Sequence, residues 1–223
     1  MAPAGLIYHV MNRTAGRFVM LRRDRDFEAF ERVLVEAHAR EPMPILSYCL
    51  MGNHWHFVVC PSREGQMSRF FRWLTLTHAM RWRVSHRSVG DGHLYSGRFK
   101  AFAVQDGPRL LEVLRYVERN ALSAGLVKRA EDWRWASLWS RDHGRPELRS
   151  ILSDWPVERP RDWTRRVNAV ITPRELARLE LSERREQPYG DAAWTRRIVK
   201  RLGLEHTVRR EGRPAKKKDG PEN

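Results

Sequence analysis

The sequence predicts an α+β fold, an antiparallel sheet built around a central hairpin with helices packed on it. Three observations carry this. Ile45 to Leu50 and Asn53 to Val59 are apolar, β-branched and aromatic runs joined by the tight turn Met51-Gly52-Asn53, which is the pattern of a hairpin. Apolar residues at helical spacing flank the hairpin on both sides. The order of elements up to Ala121 is strand, helix, hairpin, helix, strand, helix, which layers helices on a mainly antiparallel sheet.

The elements follow in order. Leu6 to Met11 reads as a first strand, Asn12 to Gly16 as a turn, and Phe18 to Leu21 as a short continuing strand. Asp24 or Asp26 caps a helix over 25–40, whose apolar face is Phe27, Phe30, Val33, Leu34 and Ala37. Pro42 and Pro44 end it before the hairpin. Met67, Phe70, Phe71, Leu74, Thr77 and Met80 place a second helix over 65–86, with a basic face that includes Arg69, Arg72 and Arg81. Gly90, Gly92 and Gly97 mark a loop that leads into a strand from Phe99 to Val104. Asp106 caps a third helix, with Pro108 in its first turn. Leu110, Leu114, Val117 and Ala121 form that helix's core stripe, and 131–141 makes a short helix closing the core. Beyond about residue 145, Pro146, Pro156 and Pro160 break the chain into a linker with short helices. Thr172 caps one of them, with Glu175 completing a capping box. Residues 191–202 form a further helix, and Arg196 to Lys218 holds ten basic and two acidic residues.

The 223 residues suffice for one sizeable core and a smaller appendage. Lysine and arginine number 42 against 27 acidic residues, a net charge of +15, which favours a polyanionic partner such as nucleic acid. Two cysteines exclude a disulfide framework and suit a reducing interior. No stretch approaches the roughly 18 apolar residues of a membrane span, so the expectation is a cytoplasmic protein free of membrane.

The hairpin's second strand carries the chemistry. Side chains alternate on a strand, so His54, His56 and Val58 share one face while Trp55, Phe57 and Val59 point to a core. Two imidazoles one residue apart lie about 6–7 Å apart along the backbone, close enough to converge on one ion and few enough to leave it open to substrate. Two other readings stand beside this: half-buried polar histidines, or a closed zinc site from Cys49, His54, His56 and Cys60. On the third helix Tyr116 and Asn120 are neighbours one turn apart. Tyr116 reads as a nucleophile with Asn120 as a third metal ligand, or as a boundary tyrosine. His9 is a helper or a structural histidine. Candidate phosphate contacts are Arg13, Arg98, Lys100, the pair Arg115 and Arg119, and Arg209, Arg210 and Arg213 in the basic end. That end is a DNA-binding arm or a solubilising tail.

The strand MGNHWHFVV resembles the histidine–hydrophobic–histidine strand of single-tyrosine HUH transposases. YHVMNR, LYSGRFKA and RYVERNALSAGLV follow the family's order and spacing, and RRIVKRLGLEHTVRREGRPAKKK resembles the C-terminal region of REP-associated tyrosine transposases. The resemblance implies a ferredoxin-like antiparallel sheet with helices packed on it, extended by a mostly helical basic C-terminal region. Residues 1–145 would be the nuclease domain, 146–190 the linker and 191–223 the arm. It implies a divalent metal, Mg²⁺ or Mn²⁺, on His54, His56 and Asn120, with Tyr116 as nucleophile. The substrate would be single-stranded DNA beside a hairpin, cut and rejoined through a 5′-phosphotyrosine by a monomer or a homodimer. Gly52 and Ala121 stand where the family usually has proline, and the arm reads E-G-R-P, less basic than usual. The alternative function is a catalytically silent regulator binding hairpin DNA or RNA on the same fold. A zinc-stabilised binding module is a third reading.

Overall fold

The computed structural model describes residues 3–209. Arg210 and Arg213, from the basic end, lie outside the described residues. Four strands, β1 (Ile7–Arg13), β2 (Ile45–Leu50), β3 (His54–Val59) and β4 (Lys100–Val104), form one antiparallel sheet in the order β2-β3-β1-β4. The sequence-predicted α+β fold is therefore the observed one.

Strand parity divides the side chains between two cores. Tyr8, Val10, Tyr48, Leu50, Trp55, Phe57 and Val59 face α1 (Asp24–Arg40) and α2 (Gln66–Ser85), where Phe27, Phe30, Leu34, Phe70, Phe71 and Leu74 meet them. Full burial of one such side chain, Phe57 for example, contributes about 1.5–3 kcal/mol. Ile7, Cys49, Val58, Phe102 and Val104 point the other way, onto Leu110, Val113, Leu114 and Val117 of α3 (Pro108–Glu118). The helix breaks after Glu118, so Asn120 opens a separate short turn, α4 (Asn120–Ser123).

Several local expectations are corrected. Phe18 to Leu21 is not a strand. The N–H groups of Met20 and Leu21 both donate to Gly52 O, at 2.8 and 2.9 Å, so the segment buttresses the hairpin turn. A Cβ on Gly52 would lie 3.1 Å from Val19 Cγ1 and 3.5 Å from Leu21 O, so the segment packs closely on the turn. Arg23, not an aspartate, is the N-cap of α1. Asp26 sits inside the first turn and accepts from the N–H groups of Arg22 and Arg23. Gly107, with φ 78°, begins α3, and Asp106 accepts from the Gly107 N–H instead of capping the helix. Residues 133–136 are not helical: Arg134 and Trp135 make a turn and Ala136 bridges to Cys49, because the outer edge of β2 needs partners. Leu50 N donates to Trp135 O at 2.8 Å, and the helix over this stretch starts only at α5 (Ser137–His143).

The chain after residue 145 forms α6 (Pro146–Ser150), α7 (Trp163–Asn168), α8 (Pro173–Arg185), α9 (Ala192–Leu202) and α10 (Glu205–Val208). Leu148 and Ile151 join the α1 side, and Trp163, Val167, Leu179 and Tyr189 join the α3 side. Thr172 Oγ1 caps α8 by accepting from Glu175 N at 3.2 Å. Glu175's own carboxylate pairs with Arg115 at 3.4 Å and leaves the capping box half made. Helix α8 is pinned along its length. Leu179 is buried under it, and Glu186 just beyond it accepts from the N–H of Ala101 on β4.

Candidate metal and nucleophile site

Pairing in the sheet sets the site. Arg13 lies opposite His54, Met11 lies between His56 and Lys100, and His9 lies between Val58 and Phe102. Cross-strand partners share a face, so this side of the sheet grades from charged residues at the hairpin-turn end to apolar ones under α3. The histidines sit on that gradient.

Hydrogen bonds assign which ring nitrogens are free. Asn53 Nδ2 donates to Arg17 O at 3.1 Å, which turns its Oδ1 toward His54 Nδ1 at 2.6 Å. An amide oxygen only accepts, so His54 Nδ1 carries the proton and Nε2 keeps its lone pair. His56 Nδ1 lies 2.9 Å from His9 Nε2, and both rings are buried. His56 Nε2 has no partner. With His56 Nδ1–H donating to His9, that Nε2 is a free lone pair, the arrangement in which metal-binding histidines are held by an outer acceptor. Burial pulls the pKa of His54 and His56 down to about 3, and Arg13 adds to the effect. Burial and His56 hold His9 well below the usual range. All three rings are thus neutral, the ligating form. Asn120 lies beside His54. Two imidazole lone pairs, an amide oxygen and nearby carboxylates fit an open divalent site.

Tyr116 stands over these rings. Its ring packs edge-on against His56 and His9, with centroids 5.9 and 6.2 Å away. Its hydroxyl donates to Glu183 Oε2 on α8 at 3.1 Å. Burial first, and the Glu183 carboxylate second, push the phenol far above its ordinary pKa, so it rests as a neutral donor. His9, His56 and Glu183 each present a ligand atom, all within 4.8 Å of one another. Glu183 lies 67 residues beyond Tyr116, in the stretch read as a linker, so spacing gave no sign of it. The one available signal was the helix start at Thr172: a helix with Leu179 and Ser182 inward carries Glu183 beside its inner face.

The family described as transposase IS200 like matches residues 3–120, which span β1 through Asn120. The chain belongs to the IS200-like transposase family. Among solved structures, a REP-associated tyrosine transposase bound to a REP hairpin is similar with a TM-score of 0.50 at 14% identity, covering 71% of this chain and 89% of that one. A Deinococcus radiodurans protein described as a transposase is similar with a TM-score of 0.40 at 17% identity, covering 52% of this chain and 92% of that one. No curated protein matches the sequence. The fold of this transposase is that of the REP-associated tyrosine transposases.

The sequence-predicted basic residues of the transposase separate into two groups. Arg13, Arg98 and Lys100 line a pocket of about 430 Å³ beside the histidines, together with Arg17, Arg184, Glu180 and Glu183. Arg115 and Arg119 point elsewhere. Arg115 donates to the carbonyls of Ala169 and Val170, and Arg119 to those of Val167 and Asn168. Both guanidiniums therefore tie down the end of α7, where carbonyls are left without helical partners, and neither reaches the pocket. Arg209 is the last described residue, and its carbonyl accepts from Arg185. The closed zinc alternative is not formed. Cys49 is buried with its thiol against Met51, Cys60 is half-buried, and neither belongs to the His9–His56–Glu183 cluster. Among the described residues no helix is long and apolar enough to cross a membrane.

Proposed function

We propose that this transposase cuts and rejoins single-stranded DNA beside a hairpin, using Tyr116 as nucleophile and a divalent ion, Mg²⁺ or Mn²⁺, held by His54, His56 and Asn120. The observation that carries this reading is the placement of the Tyr116 ring against buried His56, whose Nδ1, like that of half-buried His54, is engaged by a neighbour, which leaves Nε2 of both for an ion. When bound, the ion supplies charge neutralisation at the scissile phosphate and fixes its position. Arg13, Arg98 and Lys100 hold the flanking phosphates in the basic pocket. Tyr116 attacks the phosphorus, the DNA 3′-hydroxyl leaves, and the chain keeps a 5′-phosphotyrosine. That phosphodiester conserves the bond, so a 3′-hydroxyl can later reverse the step without a nucleotide cofactor. The half-buried setting of Tyr116 limits water attack on the adduct.

The division of labour follows. Residues 1–145 carry the chemistry, 146–190 brace it through α7 and α8, and 191–223, with Arg209, Arg210 and Arg213, form the arm on the hairpin backbone. A hairpin-bound transposase of the same fold and a net charge of +15 support that partner. Two free cysteines suit a reducing cytoplasm.

The test mixes the full chain with labelled single-stranded hairpin DNA and Mn²⁺ and resolves the products on a denaturing protein gel. A metal-dependent labelled band at protein size, absent in Tyr116→Phe and His56→Ala, is the expected result. Tight hairpin binding on a native gel with no adduct would replace this reading with the silent regulator.

A further inference from the structure

We propose that Glu183 is a protein ligand of the divalent ion, so that α8, which lies outside the family-matched segment, completes the metal site. The proposal rests on His54 and His56 being the metal pair. The Glu183 carboxylate lies within 4.8 Å of a ring nitrogen of His56, a spacing one ion can span, and His9, the third member of that cluster, is the residue that holds His56 Nδ1. His56 Nε2 is a buried ring nitrogen with no partner. Glu183 uses Oε2 to accept the Tyr116 hydroxyl, which leaves Oε1 for an ion.

Charge makes the same argument. The pocket that meets the site is basic on Arg13, Arg17, Arg98, Lys100 and Arg184, as a phosphate groove should be, yet Glu180 and Glu183 stand within it. Two carboxylates beside the nucleophile would repel a phosphodiester. A divalent cation on one of them reverses the sign of the local field, and removes the contradiction. A carboxylate also moves the donor set toward oxygen and hence toward Mg²⁺ or Mn²⁺. Helix α8 is suited to deliver a ligand because it is fixed to both partners of the site. Glu175 pairs with Arg115 on the nucleophile helix, and Arg184 O accepts from Lys100 on β4. One side chain thus links the nucleophile to the ion, with one oxygen for each.

The test is Mn²⁺ binding by titration calorimetry on the full chain, without DNA. Loss of even an outer partner of a ligand typically costs 10–100-fold in metal affinity, and a loss of at least about 10-fold is expected for Glu183→Gln. Glutamine still accepts the Tyr116 hydrogen bond, so circular dichroism should be unchanged. Tyr116→Phe should bind Mn²⁺ within a few-fold of the parent, because it removes the phenol and keeps the carboxylate. If Glu183→Gln does not fold, Glu183→Asp, which keeps the charge but draws the carboxylate back by a methylene, should show weakened binding. Parental affinity in Glu183→Gln or Glu183→Asp, with binding lost in His56→Ala, would overturn the proposal and leave the histidine site standing. No Mn²⁺ binding by the parent chain would overturn both.

Discussion

His9 offers a direct test of how the site is held. Its Nε2 lies 2.9 Å from His56 Nδ1, and both residues are 1% exposed. His9→Phe fills the same space, since His9 already packs against the Phe102 ring at 4.7 Å between centroids, but it removes the acceptor. His56 Nδ1–H is then a buried donor without a partner, at a cost of about 1–3 kcal/mol. The form that frees Nε2 becomes less populated by that amount, which at about 1.4 kcal/mol per decade is a loss of about 5- to 150-fold in metal affinity. His9→Gln restores an acceptor oxygen and should recover most of the loss. The assay is Mn²⁺ titration calorimetry, with circular dichroism to confirm folding. Parental Mn²⁺ affinity in His9→Phe would refute the reasoning, as would a glutamine variant no better than phenylalanine.

Two further predictions concern stability and DNA binding. Burial pushes the Glu31 carboxyl up to about 7 from 4.5, against the pull of Arg145 and Arg134. The native state therefore holds the proton more tightly than the unfolded chain, so this group's stabilisation is full below about pH 4.5 and is lost as pH rises through about 7. A displacement of this size corresponds to about 3 kcal/mol. Denaturant unfolding at pH 4.5 and pH 8 should show a smaller drop in Glu31→Gln, and an identical drop would exclude Glu31 as its source. Arg119→Ala frees the carbonyls of Val167 and Asn168 and should cost about 1–3 kcal/mol of stability with hairpin affinity unchanged. Arg13→Ala should weaken hairpin binding and lower the salt slope by about 1. Fluorescence anisotropy across a salt series distinguishes them, and the reverse pattern would show that Arg119, not Arg13, meets phosphate.

What the sequence made legible was what local periodicity determines. Period two in NHWHFVV put Trp55 and Phe57 on one side and His54 and His56 on the other, and the structure keeps that partition. The stripe from Phe27 to Ala37 located α1 for the same reason. Errors arose where tertiary partners decide. Trp133 to Ala136 looks helical by its apolar spacing but turns at Arg134 and Trp135 so that Ala136 can bridge to the outer edge of β2. Arg115 and Arg119 look like a free basic pair, yet the carbonyl ends of a helix some fifty residues later take them up. Glu183 belongs to no local motif, and its place beside Tyr116 depends on how α8 docks.

The position of the site follows from where the second core runs out. Along the face shared by β1, β3 and β4, the rows run from Ile7 and Val104 at one end through His9, Val58 and Phe102, then Met11, His56 and Lys100, to Arg13 with His54 at the other. At this border the histidines are dry enough to be neutral ligands and close enough to the rim to meet a basic pocket. The same dryness works against the nucleophile, because burial and Glu183 both raise the pKa of Tyr116. Arg13 is the described cation that lowers it, and one arginine at the rim is a weak counterweight to desolvation. A site that makes good ligands by burial and a poor phenolate by the same burial needs additional positive charge next to Tyr116. A divalent ion on His54, His56 and Asn120, drawn toward the tyrosine by Glu183, would supply it without changing the sheet.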